Sequence, residues 1–452
     1  MKNSYLLRIL TLIFITAFST DMLYAQIGWF PQSSGTTSGL NSLFFVSPVN
    51  GWAAGESDVL VTYNGGSNWE VQFSGPAPLN NSYEFNSVYF LDAETGWVAG
   101  DLFRSPPGTY HKVIFKTIDA GENWIQQYIN SGSGLKSIYF ISPLIGWVVG
   151  ANTILATVDG GLNWTAQNFP WGENDHYDFR SVCFENSDIG WAAGELFVDP
   201  PGITYSVILK GANGGGEWTE QYRVINPGIS SVWFNNLMTG WAVGAGVILN
   251  TSNGGENWAT QATFGNENCS YCLNSVHFEN SSMGWVVGGS QCQPGNGYAR
   301  IILKTSNGGI NWEELSMPSG VSSCHFNSVF FTNVLTGWTI GDNGTILKTT
   351  NGGVVGFEPV NNETPIQFSL NQNYPNPFNP VTKISFNLPK SVDVKLTVFD
   401  VLGSEVTVLV NEKLNTGAYE VEWDGSNYPS GVYFYRISAG EFTETKKMIL
   451  VK

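Results

Sequence analysis

The chain has 452 residues, of which 14% are aromatic, only 13% are charged and 52 are glycine, and its formal net charge is −17. So many aromatic residues exclude a disordered chain, and the composition lacks the Ala, Glu, Lys and Leu heptads of a coiled coil. The strong negative charge and the scarcity of arginine argue against nucleic acid or an acidic membrane surface as a partner.

The first 25 residues predict a secretory signal peptide. Lys2 and Arg8 give a positive start, residues 9–18 are mostly apolar, and Ala25 stands at a plausible cleavage point. The alternative is a membrane anchor, although this apolar stretch is too short to cross a bilayer. No later segment is long and apolar enough to span a membrane, so we expect an extracytoplasmic mature protein.

A repeat fills most of the chain. The pattern G-W-x-x-G occurs seven times, first at Gly51 and last at Gly337, at spacings of 44 to 53 residues. A Phe stands seven residues before each of these Trp residues, at the end of a strand-like stretch such as N-S-V-Y-F. The repeat tryptophans are Trp52, Trp97, Trp147, Trp191, Trp241, Trp285 and Trp338.

A second motif, of the type T-x-D/N-G-G-x-N-W, follows each G-W-x-x-G. Asp or Asn can cap the turn, Gly can adopt a positive φ, and the Trp can anchor the hairpin. Each repeat therefore reads as four short strands, A to D, with G-W-x-x-G on strand B. Four-stranded units of this length, repeated radially, predict an all-β, seven-bladed β-propeller over residues 26–355.

These motifs resemble known families. The second motif resembles the Asp-box of sialidase-type propellers, and its combination with G-W-x-x-G and a T-I-L-K-T strand is more similar to the photosystem II assembly and stability factor family. That resemblance implies a propeller with an assembly or scaffolding role.

The last repeat lacks its second Trp, because Asn351, Gly352 and Gly353 run into an unrelated sequence. Near the mature N-terminus, Trp29 and Gln32 match the start of strand D in the other repeats. We therefore expect the N-terminal strand to complete blade seven and close the ring, which removes an exposed sheet edge.

The composition changes at residues 356–366, which read as a linker. Residues 367–452 alternate apolar residues between Gly, Pro and Asn turns, which predicts a small antiparallel, immunoglobulin-like sandwich. The stretch N-Y-P-N-P-F-N-P at 373–380, D-V-L-G at 400–403 and G-V-Y at 431–433 make this segment similar to the C-terminal sorting domain of type IX secretion cargo. The resemblance implies the type IX secretion machinery as a partner and export to the outer surface of a Gram-negative bacterium. An ordinary adhesive sandwich domain is the alternative.

Four strands per blade fix which connections share a face. The B–C and D–A connections lie on one face, named here the hairpin face; the A–B and C–D turns lie on the other, the turn face. Blades two, four and six carry insertions of about ten residues between strands B and C, all on the hairpin face. We expect exposed rings in these insertions and in the D–A loops to bind a ligand: Trp171, Tyr110, Tyr205, Tyr298 and Tyr177. The alternative is that these rings only cover the blade ends.

Catalysis is the less favoured interpretation. The propeller has too few Arg residues for a sialidase, but a carboxylate pair could still hydrolyse glycosides. Glu84, Asp101, Asp175, Asp178, Glu195 and Asp199 are expected on the hairpin face. We expect neither a metal site nor a cofactor.

Four of the five cysteines predict structural disulfide bonds. Cys269, Cys272, Cys292 and Cys324 fall on one face around blade six, so we expect two disulfides of undetermined connectivity in an oxidising compartment. Cys183 lies in strand A of blade four and is expected to be a buried free thiol.

Together these features predict a secreted or surface-displayed, monomeric propeller that binds an extracellular protein or glycan without catalysis. The alternative is a carbohydrate-active protein, either glycan-binding or a glycoside hydrolase.

Overall fold

The computed structural model describes residues 28–76, 81–170, 172, 174–225, 228–265, 269–292, 298–318, 321, 325–353, 365, 367–414, 416–425 and 428–452. The predicted signal peptide and nearly all of the predicted linker lie outside these residues. One compact unit is Trp29–Gly353, and the residues from Val354 to Lys452 belong to the other.

The described part of Trp29–Gly353 contains seven four-stranded antiparallel sheets, the blades of a propeller. Strands A to D are Leu40–Phe45, Gly51–Gly55, Val59–Thr62 and Glu70–Phe73 in blade one; Asn81–Phe90, Gly96–Arg104, Thr109–Thr117 and Ile125–Ser131 in blade two; and Leu135–Phe140, Gly146–Gly150, Thr153–Thr157 and Thr165–Ala166 in blade three. They are Asp175–Phe184, Gly190–Val198, Ile203–Ala212 and Glu217–Ile225 in blade four; Ile229–Phe234, Gly240–Gly244, Val247–Thr251 and Ala259–Thr263 in blade five; and Cys269–Phe278, Gly284–Cys292, Tyr298–Thr305 and Glu313–Glu314 in blade six. Blade seven has strands A to C at Phe326–Phe331, Gly337–Gly341 and Ile346–Thr349.

The strands A form a closed inner ring. Each packs against strand A of the next blade, and that of blade seven packs against that of blade one. A serine in every strand A accepts a hydrogen bond from a backbone N–H of the neighbouring strand A, as Ser87 Oγ does from Ile138 at 3.1 Å and Ser328 Oγ from Leu43 at 3.3 Å. The equivalent serines are Ser42, Ser137, Ser181, Ser231 and Ser275.

The repeat Trp and Phe join neighbouring blades. Trp52 stacks face to face on Phe90 of the next blade, with ring centroids 3.6 Å apart, and Phe90 receives the edge of Trp124 from its own strand D at 6.0 Å. The same arrangement recurs to the last pair, where Trp338 stacks on Phe45 of blade one at 3.7 Å. Each stacked pair adds about 0.5–1.5 kcal/mol beyond the burial of its area.

The glycine before each repeat Trp is required by the same Phe. A Cβ on Gly96 would lie 2.5 Å from the Phe90 ring, and one on Gly51 would lie 2.3 Å from the Phe45 ring. No side chain fits between strand B and the ring, so the G-W pair and the upstream Phe are one packing unit.

The predicted closure by the N-terminal strand is confirmed. Phe30–Gln32 pairs antiparallel with the last strand of blade seven, with Phe30 opposite Lys348 and Gln32 opposite Ile346. Trp29 is fully buried and meets Phe331 edge-on at 5.8 Å, the geometry of the strand D Trp in the other blades.

The C–D turns use the capping chemistry that the motif predicts. In blade two, Asp119 Oδ1 accepts the N–H of Asn123 at 2.9 Å, and Thr117 Oγ1 accepts the N–H of Gly121 at 2.8 Å. Gly121 has a φ of 94°. Blade four departs from the pattern, because Gly211 stands in place of the Thr and a short 3-10 helix, Asn213–Gly215, forms the turn.

The C-terminal unit is a small antiparallel sandwich. One sheet contains Ser369–Leu370, Val381–Leu388 and Gly417–Asp424, and the other contains Glu405–Leu414, Val392–Phe399, Gly431–Ala439 and Phe442–Leu450. Both contribute to one core that includes Phe386, Leu396 and Tyr435. Asn373 of the N-Y-P-N-P stretch is buried, and its side-chain amide donates to Thr382 Oγ1 at 2.9 Å. Its Oδ1 accepts from Gln372 Nε2 at 2.6 Å, and its backbone N–H donates to Tyr435 Oη at 2.8 Å.

Candidate binding face

The insertions of blades two and four extend strands rather than form loops. Strands B and C of blade two stay paired out to Arg104 and Thr109, and those of blade four out to Val198 and Ile203. Strand A of each blade is lengthened to match, at ten residues against six in blades one and three. The insertions of blades two and four therefore lengthen the B–C hairpins of the hairpin face as continuously paired strands.

The two hairpins end in the same kind of turn. Residues 105–108 read S-P-P-G and residues 199–202 read D-P-P-G. Gly108 has a φ of 84° and Gly202 a φ of 81°, and a Cβ on either would meet nothing within 4 Å. In blade six, Gln291 pairs with Tyr298, and residues 293–297 lie outside the described residues.

The aromatic residues predicted to bind a ligand differ in their exposure to solvent. Tyr110 is 54% exposed and packs against Phe103, with ring centroids 4.9 Å apart. Tyr205 is half-buried, with the Arg223 guanidinium 5.5 Å from its ring centre. Tyr177 is 2% exposed and belongs to the core of blades three and four, so its proposed role as an exposed anchor is wrong. Trp171 and the side chain of Tyr298 lie outside the described residues.

The error at Tyr177 has a physical cause. The segment before blade four was interpreted as a D–A loop, but it is the extended part of strand A, in which alternate residues point inward. Tyr177 and Phe179 take the inward positions, as Tyr83 and Phe85 do in blade two.

Three apolar side chains on blade four were missed by sequence reasoning. Phe197 is 39% exposed, Val224 44% and Ile225 68%. Strand D reaches Ile225 because it follows strand C along the extended hairpin, with Ile225 opposite Tyr205. The length of the B–C insertion could have indicated these residues, because a longer hairpin gives strand D a longer edge to pair with.

Four of the six carboxylates predicted for this face make structural contacts: Asp101, Asp175, Asp178 and Glu195. Arg180 Nη2 lies 2.8 Å from Glu195 Oε1, and Arg180 Nε lies 3.4 Å from Asp178 Oδ2. Burial raises the pKa of Glu195, and the charge of Arg180 opposes that shift. Asp101 is buried, accepts the N–H of Gly134 at 2.6 Å and has its pKa raised mainly by desolvation. These groups hold strands and the D–A connections in place.

The predicted disulfides are not established. Cys272 is a free, exposed thiol, so including it in a bond was wrong. Cys269 lies directly opposite Cys292 on paired strands, but their side chains, and Cys324 as a whole, lie outside the described residues. Cys183 is the buried free thiol that was expected, and burial raises its pKa. Among the described residues no group of three or more potential metal ligands occurs.

The turn face also carries exposed apolar residues, which weakens the expected contrast between faces. Tyr63, Ile118 and Val158 follow the Thr of their C–D turns and are 54%, 65% and 77% exposed. What distinguishes the hairpin face is the pair of projecting hairpins.

Comparison with known proteins agrees with this architecture. Residues 116–228 and 215–318 match the family described as photosynthesis system II assembly factor YCF48, and residues 372–452 match the secretion system C-terminal sorting domain. The solved structure of YCF48 bound to D1 peptide superposes with a TM-score of 0.52 at 21% identity, covering 72% of this chain and 95% of that one. The first unit thus resembles the YCF48 propellers in fold, and we refer to it as YCF48-like.

Other similar proteins point to the same fold. YCF48 from Cyanidioschyzon merolae superposes with a TM-score of 0.51 at 20% identity, covering 71% of this chain and 98% of that one. The photosystem II stability/assembly factor HCF136 of Oryza sativa subsp. japonica is 24% identical over 58% of this chain and 69% of its own. That of Arabidopsis thaliana is 22% identical over 67% of this chain and 73% of its own.

The YCF48-like propeller is therefore followed by a type IX secretion sorting domain. Within the described residues, no helix has the length and apolarity needed to cross a membrane.

Proposed function

We propose that the protein is exported through the type IX secretion machinery to the outer surface or the medium, where its propeller binds a protein segment without catalysing a reaction. The sorting domain supports the export, and the resemblance to YCF48, one structure of which holds a D1 peptide, supports a peptide-binding propeller. The binding surface we assign is the hairpin face.

The observation that carries this assignment is the pair of projecting hairpins on blades two and four. The hairpins carry Tyr110 and Phe197, and strand D of blade four carries Ile225 beside the second hairpin. These side chains are 54%, 39% and 68% exposed, and they stand on paired strands rather than on loops. Large side chains fixed on a rigid sheet lose little conformational freedom on binding, which makes them suitable anchors for a partner.

Peptides selected from a random display library against the mature full-length protein provide the test. Tyr110→Ala and Phe197→Ala should each weaken the binding of a selected peptide by about 1–3 kcal/mol, that is, by about 5- to 150-fold. Tyr63→Ala is the matched control, since Tyr63 is as exposed as Tyr110 but lies on the turn face. Loss of binding in the control with retention in the other two would place the site on the turn face.

A carbohydrate-active role is the second candidate, because the hairpin face carries several carboxylates. The ion pairs of Asp178 and Glu195 with Arg180 disfavour it, since a general acid or nucleophile must be free to reach the substrate. Binding on a glycan array that is lost in Tyr110→Ala, or hydrolysis of aryl glycosides that is lost in Glu195→Gln, would favour this candidate over peptide binding.

A further inference from the structure

The YCF48-like propeller repeats an internal binding site for an ammonium group. In four blades a lysine near the end of strand C places its Nζ over the ring of that blade's repeat Trp. The distances to the ring centres are 5.0 Å for Lys116 on Trp97, 5.8 Å for Lys210 on Trp191, 5.7 Å for Lys304 on Trp285 and 5.2 Å for Lys348 on Trp338.

Each of these ammonium groups also reaches the C–D turn of the next blade. Lys116 Nζ donates to Gly160 O at 3.0 Å. The Nζ atoms of Lys210, Lys304 and Lys348 lie beside the equivalent glycines, Gly254, Gly352 and Gly65. The site thus combines an aromatic face with a backbone carbonyl, two groups that attract a cation.

Carboxylates lie near the occupied sites. Desolvation lowers the pKa of Lys116 and of Lys304, and the charges of Asp159 and Glu313, respectively, oppose that shift. The aromatic face and the turn of the next blade are common to the four sites, and a carboxylate acts on the ammonium group in two of them.

Blade three has the site but not the lysine. Ala156 stands at the lysine position, and a pocket of about 520 Å³ opens there, lined in part by Ala156, by Gly214 of blade four and by Trp147, which is 1% exposed. Trp147 Nε1 donates to Gly214 O at 2.7 Å, as Trp338 Nε1 does to Gly65 O at 3.1 Å in an occupied site.

Two carboxylates, Asp159 and Asp188, line this pocket, and its lining residues include no Lys, Arg or His. Hydrogen bonds from Asn163 lower the pKa of Asp159, so its carboxylate stays charged. Ile145 and Val158 supply apolar surface for a carbon chain. Blades one and five also lack the lysine. The buried Val61 takes its position in blade one, and in blade five the amide of Asn250 donates to Gly240 O at 3.0 Å.

We propose that the pocket between blades three and four binds a primary alkylammonium group, supplied by the lysine side chain of a second protein. The ligand would take the position that Lys116, Lys210, Lys304 and Lys348 occupy in their own blades. The pocket opens on the turn face, so this site is separate from the hairpin face and does not depend on the function proposed for it.

Titration of the mature full-length protein with Nα-acetyl-lysine methylamide, followed by NMR of the indole N–H groups, tests the proposal. The neutral analogue Nα-acetyl-norleucine methylamide should bind at least about tenfold more weakly, because it lacks the charge that the ring and carboxylates attract. Equal binding of the two probes would overturn the proposal.

Variants locate the site. Ala156→Lys supplies the pocket with an internal ammonium, as four other blades do, and should abolish probe binding; Asn250→Lys is the matched control in blade five and should leave it unchanged. Asp188→Asn, at an exposed residue, should weaken binding several-fold without affecting the fold. Unchanged binding in both Ala156→Lys and Asp188→Asn would contradict the assignment.

A free diamine distinguishes the source of the ammonium group. Binding of 1,5-diaminopentane without binding of the lysine amide would assign the pocket to a free amine and overturn the proposal of a protein partner.

Discussion

At the scale of single residues, the repeat is a set of contacts between blades. The Phe at the end of strand A lies between a Trp of the preceding blade and a Trp of its own, as Phe90 does between Trp52 and Trp124. The Gly of G-W-x-x-G leaves room for that ring. Residues of two consecutive repeats are therefore fixed together, which explains why the motif recurs in register.

A second set of side chains meets inside the ring. Six strands A carry an aromatic ring at the position before the terminal Phe, and neighbours touch, as Phe44 and Tyr89 do at 4.6 Å and Trp233 and His277 at 4.6 Å. Cys183 takes this position in blade four, where its thiol is buried. The remaining members are Tyr139 and Phe330.

The buried lysines make stability depend on pH. Desolvation lowers the pKa of Lys304 from its usual 10.5 to about 8. Between about pH 8 and 10.5 the unfolded chain keeps this proton while the folded chain loses it, so the stability of the wild type rises with pH. Lys304→Met has no such proton and should lack this part of the rise.

The free energy of unfolding, measured by urea denaturation from pH 7 to pH 10, checks this expectation. The wild type should gain up to about 3 kcal/mol relative to Lys304→Met across that interval. Tyrosines that titrate in the same pH range contribute equally to the free energy of unfolding of both proteins, so their contribution cancels in the comparison. Stability curves that run parallel at every pH would show that the lysine is not desolvated in the folded state.

At the scale of elements, the N-terminal strand carries more stability than its three residues suggest. Phe30–Gln32 covers the edge of blade seven, and Trp29 is fully buried beside Phe331. Trp29→Ala should lower the free energy of unfolding by about 3–5 kcal/mol, because it empties a large buried site.

Chemical denaturation of the mature protein measures this effect. Phe30→Ala is a suitable control, since Phe30 lies on the same strand but is only half-buried and should cost less. Equal, small effects of both substitutions would mean that the strand does not close the ring in solution.

The elements also show what sequence could and could not predict. The seven repeats, the closing strand and the turn chemistry followed from motifs, because each motif residue makes a contact that only its type can make. The exposed residues of the binding face were harder to predict, because the direction of the Tyr177 side chain depends on whether its segment is a loop or a strand. Only pairing with a lengthened strand B decides that, and pairing is a property of two distant segments.

At the scale of the whole molecule, the sorting domain and the propeller are separate compact units. A chain ending at Val355 should fold with an unchanged propeller melting transition but remain in the periplasm of a host that has the type IX machinery. Calorimetry of the truncated protein and immunoblotting of the cell fractions test the two parts. Normal secretion of the truncated chain would contradict the role of the sorting domain.

The central claim is that the hairpin face of an exported propeller binds a protein segment. Hydrogen–deuterium exchange of the mature protein, with and without a peptide selected against it, measures the footprint directly. We expect the peptide to slow exchange in the turns and flanking strands around residues 103–110 and 197–204, and to leave the C–D turns unchanged. Slower exchange confined to the C–D turns, with both hairpins unaffected, would contradict it.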